Sequence, residues 1–284
     1  MVIKKILVAL DLSEIDNRLI EYAAFLANEL ALEKVYFIHN IRKYAIGDLF
    51  EEELKDVNLD EIIGDELNEQ VATGFKSDTP WEVLISEDTY TESLITYIAN
   101  KYSIDLMLLG NKNNVKGTGQ LTGKLIRMLK CPVLSLPASS PIKLEQVWVG
   151  TDFSTASEKS FRYAFELSKE IPLKLSAVHV YNLPLQFAPY VPQESMVLKV
   201  EKHVQEKFSR FIKRLKYDKE IKPVIIPGRD ATIAEKIIEK ANRSGVDLLI
   251  VSDKGENTFS HLMIGSVADD LFDQELNVPL MIVK

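Results

Sequence analysis

A chain of 284 residues is long enough for two domains of ordinary size, each with its own hydrophobic core. Its net charge of -8 describes an acidic globular protein and excludes nucleic acid as the main partner, because no basic excess is available to neutralise phosphates. A single cysteine and four histidines cannot supply an internal disulfide or a cysteine-rich metal site.

Strands and helices alternate along the first half of the chain. A buried strand is predicted over 3–10, directly from the N-terminus, and no apolar run reaches the roughly 20 residues of a membrane span. We therefore expect a cytoplasmic protein with no membrane partner. The acidic residues between 51 and 69 fit the solvated face of a helix. Further strands are predicted over 34–41, 81–86, 104–109 and 131–136, and helices over 14–30, from about 59, over 89–102 and over 120–129.

The second half of the chain repeats the first. Asp152 follows its first strand as Asp11 follows the strand at the N-terminus, 141 residues earlier, and Asp247 stands 142 residues after Asp105. The chain is therefore a tandem duplication. The alternation of strands and helices in both halves predicts an α/β fold, with a parallel sheet covered on both faces.

The duplication predicts the domain organisation. We expect a first domain over 1–137, a linker over 138–145 and a second domain over 146–284. Asp230 is expected to cap a helix that runs to Asn242. In the second domain the other strands are predicted from 147 and over 175–180, 221–226, 247–251 and 278–283, and the other helices over 157–169, over 194–215 and after Ser266.

One stretch near the C-terminus has the pattern of an anion site. An apolar strand over 247–251 leads through a polar loop with Gly255 to Gly265 and Ser266, where an amphipathic helix begins. A helix start offers free backbone N–H groups and a partial positive charge, and glycine lets the backbone approach a phosphate. The alternative interpretation is structural, with an ordinary loop glycine and an ordinary helix cap.

Three features of the second half point to the same edge of the predicted sheet. Asp152 follows its first strand, Val180 ends its second, and residues 252–255 follow its fourth. Ligands of open parallel sheets lie beyond the carboxyl ends of the strands. A carboxylate there can accept a hydrogen bond from an adenine amino group or a ribose hydroxyl, while the loop and the helix start hold phosphates.

These residues resemble the universal stress protein family in its tandem-domain form. The shared features are Asp152, a strand that ends in valine, histidine and valine over 178–180, and nine residues between Gly255 and the Gly265-Ser266 pair. The resemblance covers nearly the whole chain. It implies two tandem five-stranded parallel-sheet α/β sandwiches, which are Rossmann-like and similar to the adenine nucleotide alpha hydrolase fold.

The resemblance also implies ATP as the ligand and leaves room for a Mg²⁺ ion beside its phosphates. Asp152 and the backbone of Val180 would recognise adenine and ribose. Ser252 departs from the family pattern, since it occupies the first glycine position, where its side chain can either crowd the ribose or hydrogen-bond to it. The implied phosphate contacts are Gly255, Gly265, Ser266 and Val267.

The first domain departs further from the family pattern. Asn40 replaces the valine after His39, Asn113 replaces the second glycine, and Gln120 stands in place of the hydroxyl residue. We therefore expect a degenerate nucleotide loop, with a site that is empty or differently loaded. The weaker candidate residues in this domain are Asp11, Gly110, Gly117 and Gly119.

The histidines do not suggest catalysis. His39 and His179 recur at equivalent strand ends, where a satisfied core histidine is favoured over a catalytic base because neither has a matching nucleophile nearby. Lys254 and His261 lie beside or within the phosphate loop and could touch a γ-phosphate, although exposed loop residues are the commoner case. We assign no catalytic residue and no metal ligand.

The sequence thus favours a tandem universal stress protein that binds ATP in its second domain and acts in stress response or nucleotide-responsive signalling. Two alternatives stay open: a nucleotide-free interaction scaffold and, less favoured, a slow ATPase. Each half ends in an apolar strand that would be an exposed edge if the domain stood alone. The resemblance implies that 132–136 pairs with 279–283 in an internal pseudo-dimer, and a homodimer is also open.

Overall fold

The computed structural model describes residues 3–41, 58–111, 118–183, 186, 190, 192–228, 231–255, 264–274 and 276–284. The chain divides into two compact units, Met1–Lys143 and Leu144–Lys284. Among the described residues, no helix combines the length and the apolar character needed to cross a lipid bilayer.

The first unit is built on one parallel sheet. Its strands are β1 (Lys5–Ala9), β2 (Lys34–Asn40), β3 (Trp81–Ser86), β4 (Leu106–Asn111) and β5 (Val133–Pro137), and its described helices are α1 (Ile15–Leu30), α2 (Leu59–Gly74), α3 (Thr91–Lys101) and α4 (Thr118–Met128). The strands are ordered β3-β2-β1-β4-β5, and each neighbouring pair is parallel.

The second unit repeats this arrangement. Its strands are β6 (Gln146–Gly150), β7 (Lys174–Asn182), β8 (Lys222–Gly228), β9 (Leu248–Ser252) and β10 (Leu280–Val283), and its described helices are α5 (Thr155–Glu170), α6 (Gln193–Leu215), α7 (Ile233–Asn242) and α8 (Ser266–Asp273). The strands are ordered β8-β7-β6-β9-β10, again with parallel neighbours. The α/β fold with five parallel strands in each half is confirmed.

The hydrophobic pattern of each element explains its place in the core. The inner positions of the central strands β1 and β6 are buried, as expected for parallel strands that helices cover on both faces. In α1 the buried residues Leu19, Ala23, Leu26 and Leu30 recur every three or four positions and form one face. The same spacing that predicted the helix therefore also fixes which face packs on the sheet.

A carboxylate holds the start of the central strand in each unit. In the first unit, Asp105 accepts the backbone N–H groups of Lys4 and Lys5 at 2.8 and 2.9 Å. In the second unit, Asp247 is buried and accepts the N–H groups of residues 145 and 146 at 3.0 and 2.9 Å. The aspartates that mark the sequence repeat thus join the first and fourth strands of each unit.

The start of α7 differs from the sequence prediction. Its N-cap is Thr232, whose hydroxyl accepts the N–H of Glu235 at 3.1 Å, while the Glu235 carboxylate accepts the N–H of Thr232 at 2.6 Å. Asp230, the predicted cap, lies outside the described residues. Thr232 takes the capping position because a glutamate three residues later lets it satisfy two backbone donors reciprocally.

Candidate functional site

A cavity of about 280 Å³ opens at the carboxyl ends of β6, β7 and β9 in the second unit. Its walls come from the β6–α5 turn, the end of β7, the loop after β9 and the first residues of α7 and α8. The structure brings together at this cavity all seven residues that the sequence singled out in the second domain: Asp152, Val180, Ser252, Gly255, Gly265, Ser266 and Val267.

Hydroxyl groups hold the turn that presents Asp152. The Thr151 hydroxyl accepts the N–H of Phe153 at 2.9 Å and lies 3.1 Å from the hydroxyl of Ser157. Phe153 has a φ of 66°, in the left-handed region that costs energy for a residue with a Cβ. The hydroxyl network stabilises this conformation and so determines where Asp152 stands.

The Asp152 carboxylate is anchored through one of its oxygens. Its Oδ1 accepts hydrogen bonds from the backbone N–H of Ser154 at 3.0 Å and from the Ser154 hydroxyl at 2.5 Å. Its Oδ2 lies so close to Gly255 that a Cβ added there would approach this oxygen to 3.1 Å. The Asp152 turn and the loop after β9 therefore approach each other closely at this point, and a side chain at position 255 would crowd the Asp152 carboxylate.

His179 ties the end of β7 to the same turn. Its Nδ1 lies 2.7 Å from the carbonyl oxygen of Thr151, and because a carbonyl can only accept, Nδ1 carries the hydrogen. Burial lowers the pKa of His179, although this hydrogen bond and the nearby Asp152 charge oppose the shift. The ring packs against Phe153 at a centroid distance of 4.4 Å. A neutral imidazole thus braces the Asp152 turn.

In the loop after β9, the Ser252 hydroxyl forms a hydrogen bond within its own loop. It donates to the carbonyl oxygen of Lys254 at 2.6 Å, which closes the turn at the end of the strand. Gly265 donates its N–H to the carbonyl of Asp253 at 2.7 Å. A Cβ at Gly265 would lie 3.4 Å from the backbone nitrogen of Gly255. Ser252 is therefore committed to the loop, and the cavity stays open beside it.

Helix α8 begins at the edge of the cavity. Its N-cap is Gly265, which has no side chain that could accept the N–H groups of the first turn. Asp269 in the first turn reduces the positive potential at this helix start. His261 belongs to 256–263, outside the described residues, while Lys254 lines the cavity.

Among the other residues that line the cavity are four that the sequence analysis did not single out as site residues. Ile233 and Ile237, one turn apart on α7, line the cavity together with Val180, and Thr151 and Ser157 contribute hydroxyl groups. An isoleucine at the first position of a helix was the available signal for the apolar wall. The signal for Ser157 lay in the comparison of the two halves, where Asp16 stands at the equivalent position.

The cavity combines three kinds of chemistry. It has an apolar wall, a carboxylate that can accept hydrogen bonds, and a glycine-lined helix start that suits a negative group. A ligand with a flat ring, hydroxyl donors and an anionic tail matches all three. In the described part of the chain, no group of three or more His, Cys, Asp or Glu side chains is arranged to hold a metal ion.

In the first unit, side chains cover the corresponding edge. Gly110 in β4 is packed against Ile15, so that a Cβ added to it would lie 3.0 Å from two Ile15 carbons. Asn40 is used internally, since its amide donates to the Thr91 hydroxyl at 2.7 Å and accepts the N–H of Asp88 at 2.8 Å. Groups at this edge of the first unit are therefore used for packing and for internal hydrogen bonds.

The other weak candidates of the first unit are Asp11, Gly117 and Gly119. Gly117 lies outside the described residues, and Gly119 is part of the backbone of α4. Asp11 follows β1 as expected and accepts the Ser13 hydroxyl at 2.5 Å. Of the four candidates, Asp11 and Gly110 are therefore the two that the structure places at the predicted edge.

A buried carboxylate holds the turn after β1. Asp16 is fully buried and accepts the N–H groups of Asp11, at 3.1 Å, and of Leu12, at 2.8 Å. Burial raises the pKa of Asp16 to about 6, because the backbone hydrogen bonds offset only part of the lost hydration and the Asp11 charge raises it further. This turn therefore depends on a group that titrates close to neutral pH.

We expect Asp16 to give the first unit an unusual dependence on pH. Because its pKa in the folded state lies above its ordinary value of 3.8, the folded chain binds a proton that the unfolded chain lacks between about pH 4 and 6. Its contribution to stability therefore grows as the pH falls through 6 and is lost as the pH rises. We therefore expect the free energy of unfolding of wild type, relative to that of Asp16→Asn, to be larger at about pH 5 than at about pH 7.5. Urea unfolding at the two pH values measures this difference.

The exposed aspartate Asp65 supplies the matched control for this prediction. Asp65→Asn should keep the same difference in unfolding free energy between the two pH values as wild type. If Asp16→Asn also keeps that difference, the pKa of Asp16 is not raised.

Comparison with known proteins finds relatives along the whole chain. A model of the universal stress protein family matches it twice, over residues 3–137 and 143–284. A universal stress protein from Archaeoglobus fulgidus DSM 4304 is 17% identical, with a TM-score of 0.66 over 99% of this chain and 98% of its own. A functionally unknown protein from Pseudomonas aeruginosa PAO1 is 14% identical, with a TM-score of 0.67 over 99% and 92%.

A shorter structure matches one half of the chain. It is the universal stress protein from Archaeoglobus fulgidus in complex with dAMP, which is 20% identical, with a TM-score of 0.35 over 48% of this chain and 98% of its own. No curated protein matches the chain.

Proposed function

The chain belongs to the universal stress protein family, as two tandem copies of its domain, and on this premise we propose that the second domain binds an adenine nucleotide, specifically ATP. One observation carries the proposal: Asp152, Gly255 and the helix start at Gly265 meet at a single cavity with an apolar wall. The dAMP in the structure from Archaeoglobus fulgidus belongs to that protein, so the proposal rests on the residues of this chain.

Each part of ATP has a counterpart in the cavity. The adenine ring would pack against Ile233 and Ile237 and reach the backbone of Val180, and the ribose hydroxyls would donate to Asp152. A Mg²⁺ ion would be held mainly by phosphate oxygens, which are the ligands it commonly takes from a nucleotide. The phosphates would lie against Gly255, Gly265, Ser266 and Val267.

The first domain, over 1–137, would bind no nucleotide in this proposal. Its corresponding edge is covered by Ile15, and Asn40 is engaged in its own loop. In the proposed domain organisation, a linker spans 138–145 and the second domain spans 146–284. Pairing of the two halves as an internal pseudo-dimer, association into a homodimer and a cytoplasmic location stay predictions of the sequence. The protein would act as a nucleotide-responsive signalling or protective protein.

Mass spectrometry of the natively purified protein and calorimetric titration with ATP test the proposal together. We expect a copurified adenine nucleotide and saturable binding of about one ATP per chain, and Asp152→Ala should weaken it by about ten-fold, as loss of a charge-assisted hydrogen bond does. Absence of binding by wild type would favour the nucleotide-free scaffold. A phosphate-release assay separates binding from hydrolysis, and turnover at enzymatic rates would favour an ATPase.

A further inference from the structure

The same turn is built with different chemistry in the two units. Asp16 and Ser157 stand 141 residues apart, the same offset that relates Asp11 to Asp152. Both side chains lie in the first turn of the helix after the first strand of their unit, and both are buried. Ser157 also lines the cavity of the second unit. The duplicated chain thus provides its own comparison between a carboxylate and a hydroxyl at one position.

Each residue helps to hold the turn that precedes its helix. In the first unit the Asp16 carboxylate accepts the N–H groups of Asp11 and Leu12 directly. In the second unit the N–H of Phe153, the counterpart of Leu12, is accepted by the hydroxyl of Thr151 instead.

Thr151 can take this role because of its side chain. The residue at the same position in the first unit is Leu10, which offers no side-chain acceptor. Ser157 supports the arrangement, since its hydroxyl lies 3.1 Å from that of Thr151 and donates to the carbonyl of Ser154 at 2.9 Å. The N–H that follows Asp152 is therefore accepted by a neutral hydroxyl group, whereas the equivalent N–H of the first unit is accepted by a second carboxylate.

A negative charge at position 157 would lie close to the carboxylate of Asp152. The cavity wall of the second unit carries the Asp152 carboxylate, and an aspartate at position 157 would add a second negative group in a buried place. In the first unit the two carboxylates do lie close enough for the charge of Asp11 to act on Asp16. A nucleotide carries several negative charges, and each would be repelled by an added carboxylate in a poorly hydrated site.

We propose that Ser157 determines whether the second domain can accept a polyanionic ligand, because a neutral hydroxyl stands where the first domain has the carboxylate of Asp16. This inference rests on the proposed nucleotide function and identifies a specificity-determining residue within that site. In the first domain the Asp16 carboxylate would act in addition to Ile15 and Asn40, which already occupy the corresponding edge.

Two substitutions of Ser157 separate charge from size. We expect Ser157→Asp to weaken ATP binding at pH 7.5 by at least about ten-fold more than Ser157→Asn, which matches aspartate in size and carries no charge. Binding of uncharged adenosine should fall far less than binding of ATP in Ser157→Asp. Asp16→Asn, the matched change in the first domain, should leave ATP binding unchanged.

A pH series provides a second readout. An aspartate at position 157 should become easier to protonate in its buried place, so ATP binding by Ser157→Asp should recover toward that of wild type as the pH approaches about 5.5. His179, on which the charges of Asp152 and Lys207 act, is present in every variant, so the same pH series on Ser157→Asn shows how much of any change with pH comes from these groups and not from position 157.

The outcomes distinguish this inference from the proposed function. If wild type binds ATP and Ser157→Asp binds it equally well, the inference is wrong. Equal losses in Ser157→Asp and Ser157→Asn would also overturn it, because shape would then be the cause. Failure of wild type to bind ATP defeats the proposed function and this inference with it. Should Ser157→Asp not fold, Thr151→Leu with Ser157→Asp reproduces the Leu10 and Asp16 pair, and Thr151→Leu with Ser157→Asn is its uncharged counterpart, so the comparison of the two carries the same test.

Discussion

Replacing Gly265 by valine is expected to abolish ATP binding by the second domain, with a loss of affinity of about a hundred-fold or more. A Cβ at this position would already lie 3.4 to 3.6 Å from the backbones of Gly255, Asp253 and Lys254, which is ordinary contact distance. The two extra methyl groups of valine must therefore displace that loop or enter the space proposed for phosphate. Calorimetric titration with ATP measures the effect.

Gly265→Ala is the matched control. Its single methyl group fits at contact distance, so the loop should keep its position and the affinity should fall by no more than about ten-fold. Thermal unfolding of the two variants shows whether the loop change stays local. Retention of wild-type affinity in Gly265→Val, with an intact fold, would falsify the placement of phosphate at the start of α8.

Removing the Asp247 carboxylate is expected to cost about 2–4 kcal/mol of the free energy of unfolding of the second unit. Asp247 is 1% exposed and accepts the N–H groups of Glu145 and Gln146, so Asp247→Ala leaves both donors at the start of β6 without this partner. Asp247→Asn keeps one oxygen acceptor and should cost less. Urea unfolding followed by circular dichroism gives the difference.

Asp105→Ala makes the corresponding change in the first unit, where Asp105 accepts the N–H groups of Lys4 and Lys5. We expect a loss of the same kind but smaller, because Asp105 is more exposed to water than Asp247. Hydrogen exchange should show the weakening in β1 for Asp105→Ala and in β6 for Asp247→Ala. Unchanged unfolding in both variants would mean that these carboxylates do not hold the strands together.

The edge of the sheet that carries the site was predictable, because parallel strands end at the same side and local patterns mark where each strand ends. Asp152, Val180 and the glycines of the last loop were found in this way. The direction of the Ser252 hydroxyl was not predictable, since a serine at a strand end can turn toward a ligand or toward its own loop. Its bond to Lys254 depends on how that loop folds.

The sequence by itself determined the α/β fold, the duplication and the family, because hydrophobic spacing and repeated motifs are properties of neighbouring residues along the chain. Only the tertiary structure brought Ile233 and Ile237 into the cavity that Asp152 also lines and buried Asp16 next to the turn after β1. Those features depend on packing between elements far apart in sequence, and on which backbone groups a side chain finds once the chain is folded.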